Sequence, residues 1–311
     1  MKVAFVFPGQ GSQYVGMGKE FYDNFASARR IFDEANEALG FNLSNLCFNG
    51  SEKELLETIN AQPAVLTVSI ACLEVFREHE KISPWAVAGH SLGEYSALVA
   101  AGSLEFKDAV MLVRKRGEFM QEVGTKIRGG MAAIIGLERE KVERISKESK
   151  KFGTVQPANY NCPGQIVISG EEKGLKHAME LAKEVGARRV VPLQVSGPFH
   201  SDFMKRAGAK LQMELDKMNI DEPKVPVVAN VSADFVRAPE EIREALINQV
   251  SHSVLWEDSI LKLLAVGVNG FLEVGPGKVL SGLIKRINRD CQVMNVEDMG
   301  SLDTTLKSLE V

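Results

Sequence analysis

The sequence predicts an α/β fold: a parallel sheet covered by helices on both faces, interrupted by a β-α-β-β-α-β insertion. Two patterns carry that expectation. Short apolar runs alternate with helical patterns before residue 129 and again after 196, as parallel strands joined by crossover helices require. Between those points the order changes to strand-helix-strand, strand-helix-strand, the ferredoxin-like arrangement. The chain has 311 residues, 45% hydrophobic, enough for one large core or two ordinary ones. The expected division is a discontinuous large domain, 1–128 and 197–311, around a small subdomain, 129–196.

Taken in order, residues 2–7 read as a short buried strand closed by the turn Pro8-Gly9-Gln10-Gly11-Ser12. Helical patterns follow at 21–39, around 52–58 and at 62–80. Pro63 stands near the start of the last, where a missing N–H costs nothing. Residues 85–88 form a brief apolar run fit for a central strand, and 92–101 and 106–123 read as helices. The insertion begins after Gly129-Gly130 with a strand at 131–136 and a charged helix at 139–150. Strands at 154–160 and 165–169 bend about Asn161-Cys162-Pro163-Gly164, and a helix at 171–185 and a strand at 188–193 end it. The alternation then resumes with a helix at 204–218, a strand at 225–231, and helices at 239–249 and 256–265. A strand at 270–274, a helix at 278–287, a strand at 292–296 and a short terminal helix complete it.

Composition removes several function classes. Lys+Arg total 37 against 41 Asp+Glu, a net charge of −4, whereas a general nucleic-acid binder needs a basic excess. No run approaches the ~20 consecutive apolar residues of a membrane span; the richest stretch, 65–76, is broken by Thr67, Ser69 and Glu74. The apolar run at 3–7 is too short for a signal peptide. Cys47, Cys72, Cys162 and Cys291 form no C-x-x-C pair, which suits a reducing compartment and offers neither a zinc site nor a disulfide framework. No carboxylate or histidine cluster has metal-ligand spacing. A cytosolic protein is expected.

The strand at 85–88 runs into Gly89-His90-Ser91-Leu92-Gly93 and then a helix, placing G-x-S-x-G in a strand-turn-helix setting. The glycines let the backbone crowd, the serine hydroxyl stands at the sheet's carboxyl edge, and the Leu92 amide points where an oxyanion would form. Such a serine needs a base. His79 and His177 lie in charged helical segments and read as solvated; His90 adjoins the serine with its ring pointing away; His252 follows a helix end as a cap or surface residue. His200 begins a helix where the insertion rejoins the sheet, and it is the candidate partner. Asp108, the only aspartate between Ser91 and His200, falls in a helical pattern, so the hydrolase order Ser-acid-His fits poorly. A Ser-His dyad with the imidazole oriented by a backbone carbonyl fits better. Gly9-x-Gly11 leads to Tyr14 where a dinucleotide fingerprint needs glycine, and Gly277-Lys278-Val279 lacks the rest of a phosphate loop. Read alone, Arg116 is a solvated helix-face residue like Arg114, and Asn161 a turn former.

Four ordered motifs alter that balance: Phe7-Pro8-Gly9-Gln10-Gly11-Ser12-Gln13, Gly89-His90-Ser91-Leu92-Gly93-Glu94-Tyr95, Gly197-Pro198-Phe199-His200-Ser201 and Glu273-Val274-Gly275-Pro276-Gly277-Lys278-Val279-Leu280. Together they span essentially the whole chain and closely resemble the malonyl-CoA:acyl carrier protein transacylase family, acyltransferases of fatty acid and polyketide synthesis. The resemblance implies an α/β-hydrolase-like sheet with a ferredoxin-like insertion. It implies that Ser91 carries malonyl as an ester, that His200 acts as general base and then acid, and that the Gln10 and Leu92 amides form the oxyanion hole. Arg116 matches the arginine that pairs with the malonyl carboxylate, Gln249 the residue whose main-chain carbonyl orients the histidine, and Asn161 a segment near the substrate.

The implied reaction is ping-pong transfer from malonyl-CoA to the phosphopantetheine thiol of acyl carrier protein, supplying extender units for fatty acid biosynthesis. No cofactor of the enzyme's own is implied, nor a nucleic-acid or membrane partner, and a monomer is expected. Phe199 beside His200 resembles the malonyl-selective pocket, and Ser251-His252-Ser253 replaces an aromatic residue, Asn and Pro of other members. An acidic carrier would need a local basic patch; Lys285, Arg286 and Arg289, or Arg188 and Arg189, are candidates, with ordinary solvated faces as the alternative. The short flanks outside the first and last motifs lead to the expectation of a discrete enzyme. The rivals are a serine thioesterase or esterase, a discrete acyltransferase of a polyketide pathway, and a non-enzymatic scaffold.

Overall fold

The computed structural model describes residues 1–309; Glu310 and Val311, the end of the segment expected in the large domain, lie outside the described residues. Strands form at β1 (Val3–Phe7), β2 (Ala86–Gly89), β3 (Gly129–Ile135), β4 (Val155–Cys162), β5 (Gln165–Glu171), β6 (Arg189–Pro192), β7 (Val227–Val228), β8 (Phe235–Val236), β9 (Gly270–Val274) and β10 (Gln292–Val296). One sheet has the order β10-β9-β1-β2-β7-β8, parallel throughout except for β8. Its central strands are apolar runs without alternation, buried on both faces as a helix-covered parallel sheet demands. Phe7 pairs with Gly89, so β1 and β2 end side by side and release their loops at the same carboxyl edge.

The second sheet is antiparallel with order β4-β5-β3-β6, the ferredoxin-like arrangement. The two-residue period of its strands divides their side chains between two cores. Ala132, Ile134, Ile166 and Ile168 pack with the helices Arg139–Ser149 and Glu172–Glu184. Met131, Ala133, Ala158 and Val167 join the core of the large sheet. A backbone bridge ties the two parts: Val254 donates to Ala158 O at 2.8 Å, and Tyr160 donates to Val254 O at 2.9 Å. The Ser253 hydroxyl adds a bond to Pro157 O at 2.8 Å, which fixes the path through Ser251-His252-Ser253.

Several elements differ from expectation for local reasons. The pattern at 21–39 divides at Phe25, whose extended backbone separates Lys19–Asn24 from Ala26–Leu39. An additional helix, Leu43–Asn49, starts where Asn42 Oδ1 accepts from Asn45 N. The strand expected at 225–231 contracts to β7, and the chain turns back through Ala233, at φ 51°, into β8. Asn161, assigned to a turn, instead lies within β4, leaving Pro163-Gly164 as the hairpin tip.

The helix expected at 62–80 runs Thr58–His79. By length and composition it could cross a membrane, yet 83% of its most apolar window is buried inside the protein, as a core helix. Pro63 therefore sits inside the helix rather than near its start, and the Ile59 carbonyl loses its helical donor. Arg114 supplies the replacement: Nη1 donates to Ile59 O at 3.0 Å and to Asn60 Oδ1 at 2.7 Å. A residue expected to be solvated thus repairs a helix. Arg114→Ala is expected to lower stability by about 1–2 kcal/mol in a denaturant titration; an unchanged midpoint would remove this role.

Candidate active site

The turn carrying Ser91 joins β2 to the helix Gly93–Ala100. Ser91 adopts φ 52°, a left-handed conformation that costs a non-glycine residue about 1–2 kcal/mol. Neighbouring backbones press against the turn. A Cβ on Gly93 would fall 2.0 Å from Phe7 O, and one on Gly9 would fall 2.3 Å from His90 O. Only glycine at both positions lets the loop after β1 lie directly over the serine turn.

Asn230 clamps the strained turn from the other side. Its Oδ1 accepts from Ser91 N at 2.7 Å, and its Nδ2 donates to Gly89 O at 2.7 Å. Gln249 Nε2 donates to Ser91 O at 2.9 Å. These bonds satisfy the polar groups that the left-handed turn removes from regular structure.

His200, also left-handed at φ 54°, brings Nε2 to 2.7 Å from Ser91 Oγ, while Nδ1 lies 2.9 Å from Gln249 O. A carbonyl only accepts, so Nδ1 carries the proton and Nε2 is left to accept from the Ser91 hydroxyl. Burial, reinforced by the Arg116 charge, lowers the His200 pKa to about 3, so the imidazole is neutral at neutral pH. The structure therefore places a backbone carbonyl where many serine enzymes have an acid.

Arg116 projects from the helix Phe106–Gly124 and is 1% exposed. Its Nη1 donates to Gln62 Oε1 at 2.7 Å; its Nη2 donates to Gln249 Oε1 at 2.9 Å and to Ser91 Oγ at 3.1 Å. Neither the Gln10 nor the Leu92 amide finds a backbone acceptor among the described residues. A cavity of about 210 Å³ opens between the two sheets and is lined by Gln10, His90, Ser91, Arg116, Asn161 and His200, with Phe199 beside them. Met131 and Val167 of the antiparallel sheet, with Leu193 just after β6, contribute its wall. Leu92 and Gln249 are buried behind that surface.

The sequence as a whole matches a family profile described as the acyl transferase domain over residues 4–305. The chain belongs to the acyl transferase domain family. It is 54% identical over 310 residues to the malonyl CoA-acyl carrier protein transacylase of Bacillus subtilis (strain 168), covering 99% of this chain and 98% of that protein. The crystal structure of malonyl CoA-acyl carrier protein transacylase from Clostridium perfringens ATCC 13124 matches with a TM-score of 0.96 at 45% identity, covering 100% of this chain and 98% of that one. A structure described as a type II PKS acyl-carrier protein in complex with its malonyl-transacylase matches with a TM-score of 0.96 at 42% identity, covering 99% and 100%. The α/β-hydrolase-like sheet with its ferredoxin-like insertion is the fold of this acyl transferase.

Other polar residues in this acyl transferase were not singled out by sequence. Glu94, Asn230, Gln62 and the side chain of Gln249 form the buried framework around Ser91 and Arg116. Glu94 had a readable signal: Gly93–Ala100 is apolar on nearly every face, so a carboxylate in its first turn has no route to water. Asn230 follows β7, the strand beside β2, and so reaches the same carboxyl edge. His90 Nε2 lies 2.9 Å from Asn161 Oδ1 across the cavity, which links the serine turn to the antiparallel sheet.

The remaining histidines stand apart. His79 is exposed and His252 caps the Asn248 carbonyl, whereas His177 is half-buried, stacked on Phe152 and bonded to Ser149. Glu273, from the last shared motif, is a structural carboxylate. It accepts from Leu280 N at 3.0 Å and Ser281 N at 2.7 Å at the start of helix Val279–Ile287.

Proposed function

We propose that this acyl transferase moves malonyl from malonyl-CoA to the phosphopantetheine thiol of an acyl carrier protein through an ester on Ser91, serving fatty acid synthesis. The 2.7 Å contact between Ser91 Oγ and His200 Nε2 carries the reading. Ser91 Oγ attacks the thioester carbonyl while His200 Nε2 takes its proton. The Gln10 and Leu92 amides receive the oxyanion. Collapse breaks the C–S bond, and the leaving thiolate takes the proton from His200. The carrier thiol then reverses these steps, giving its proton to His200 and restoring Ser91.

Arg116 is the partner of the malonyl carboxylate, because a guanidinium offers two parallel donors to one planar anion. Asn161, held by His90, faces the acyl chain, and Phe199 narrows the pocket against branched groups. The thioester itself supplies the activation, so the scheme uses no cofactor of the protein. The carrier approaches the cavity mouth, where Arg286 donates to Gln165 Oε1, a residue of the cavity lining. Arg188, Arg189 and Arg289 are exposed. The four cysteines are free and buried, consistent with a cytosolic setting, and we take the working unit to be a monomer.

The test is to supply malonyl-CoA with and without phosphopantetheinylated carrier. The expected product is malonyl-carrier; steady release of free malonate at the same rate without carrier would make the protein a thioesterase. The pH profile adds a second check. Because burial holds His200 neutral, the rate of ester formation at saturating malonyl-CoA should stay level between about pH 7 and pH 5. A limb with an apparent pKa near the ordinary histidine value would contradict this assignment.

A further inference from the structure

Arg116 brings a buried positive charge whose three acceptors, Gln62 Oε1, Gln249 Oε1 and Ser91 Oγ, are all neutral. Burying an uncompensated charge costs several kcal/mol, so a counter-charge is required nearby. It stands one amide further on. Glu94 is 2% exposed, and its Oε2 accepts from Gln249 Nε2 at 2.8 Å and from Asn230 N at 3.0 Å. The Gln249 amide therefore points its oxygen at the cation and its N–H at the carboxylate. The bond from Nε2 to Ser91 O fixes its plane.

We propose that Glu94 is the resident counter-charge of Arg116, and that it takes up a proton from solvent when a substrate carboxylate docks on Arg116. This rests on the reading of Arg116 as the malonyl-binding residue. Two carboxylates around one guanidinium leave the closed site with a net negative charge, and neutralising one of them relieves it. Oε2 already accepts two bonds, so the proton goes to Oε1, and Gln249 keeps its orientation.

Burial has already raised the Glu94 pKa to about 7, against the bonds from Gln249 and Asn230 and the Arg116 charge. The other titratable groups of this cluster keep their charge state near neutrality. Tyr95, on the same helix, is pushed up by burial, Arg116 remains cationic, and His200 and His90 are held down by burial. Glu94 thus acts as a charge-balancing residue, working on the substrate through Gln249 and Arg116.

Ester formation at Ser91 conserves protons, because the hydroxyl proton ends on coenzyme A. Any net uptake therefore reports a carboxylate of the closed site, and the Glu94 variants assign it to the protein rather than to the substrate. The wild-type protein is mixed with malonyl-CoA or acetyl-CoA in weak buffer containing a pH indicator, and the ester is counted by intact mass in the same sample. At pH 7 uptake of up to about half a proton per malonyl ester is expected, and none per acetyl ester. Malonyl esters without uptake, or equal uptake per ester for both, would overturn the proposal; absence of any ester would instead overturn the functional reading.

Glu94→Gln should abolish the uptake and flatten the pH dependence of the malonyl-CoA KM, which in wild type rises with pH through neutrality. Its ceiling is about tenfold per unit of Glu94 pKa displacement. Glu94→Asp, which keeps the charge, should retain the rise. Wild-type uptake in Glu94→Gln would contradict the assignment, and a misfolded variant leaves the wild-type experiment decisive.

Discussion

Ser91→Ala is expected to reduce malonyl transfer by at least about 10⁴-fold, because removing a serine nucleophile leaves only what binding and the oxyanion donors supply. The loss is chemical rather than structural. Alanine meets nearly the same left-handed strain as serine at φ 52°, and the bonds from Asn230 and Gln249 that hold the turn go to backbone atoms. The variant should therefore unfold within about 1 kcal/mol of wild type. Neither His200 nor Arg116 can take over, since the first is placed to accept a proton and the second only donates. Radiolabelled malonyl-CoA with carrier protein is the measurement, and labelling at the wild-type level would remove Ser91 from the mechanism.

Arg116→Ala should separate substrates rather than simply inactivate. Loss of a buried bidentate carboxylate partner is worth about 3–5 kcal/mol, so malonyl kcat/KM should fall by about 10²–10⁴-fold while acetyl acceptance rises. The direction follows from the site. With the guanidinium gone, an ionised malonyl group enters an apolar-walled cavity with no cation, whereas an acetyl group loses nothing and gains room. Arg116→Lys tests geometry separately from charge: an ammonium cannot reproduce the forked contacts to Gln62 and Gln249, so malonyl transfer should remain well below wild type. An equal fall for malonyl and acetyl in Arg116→Ala would mean that Arg116 supports the site's structure instead of choosing its substrate.

The parts of this molecule that were legible in sequence are those whose signal is local. β1 and β2 are short apolar runs, the insertion announces itself by its element order, and Ser91 is bracketed by glycines whose necessity is visible in the close approach of Gly93 to Phe7 and of Gly89 to the Gly93 carbonyl. His200 stood out because the other histidines had ordinary surroundings. Arg116, Gln10 and Gln249 came from the family resemblance, because a single arginine on a helix or an amide in a loop has no local signature.

What stayed hidden depends on partners far along the chain. Arg114 looked solvated because its acceptor, the Ile59 carbonyl, exists only once Pro63 lies inside a helix that begins at Thr58. Asn230 reads as a residue at a strand end until its side chain is seen spanning Gly89 and Ser91. The strand around it is short for the same reason: the Asn230 amide leaves the ladder to reach Glu94. Glu94 itself resembles a favourable acid at a helix start, and only the packing of the whole helix reveals that it is buried beneath the site.

In the proposed mechanism one serine holds a malonyl ester chosen by its carboxylate. Intact-protein mass spectrometry after mixing with equal malonyl-CoA, acetyl-CoA and methylmalonyl-CoA, followed by peptide mapping, tests it most directly. The expected result is one malonyl group per chain on the peptide containing Ser91, with acetyl and methylmalonyl adducts as minor species. No adduct, an adduct at another residue, or equal loading of all three would contradict it.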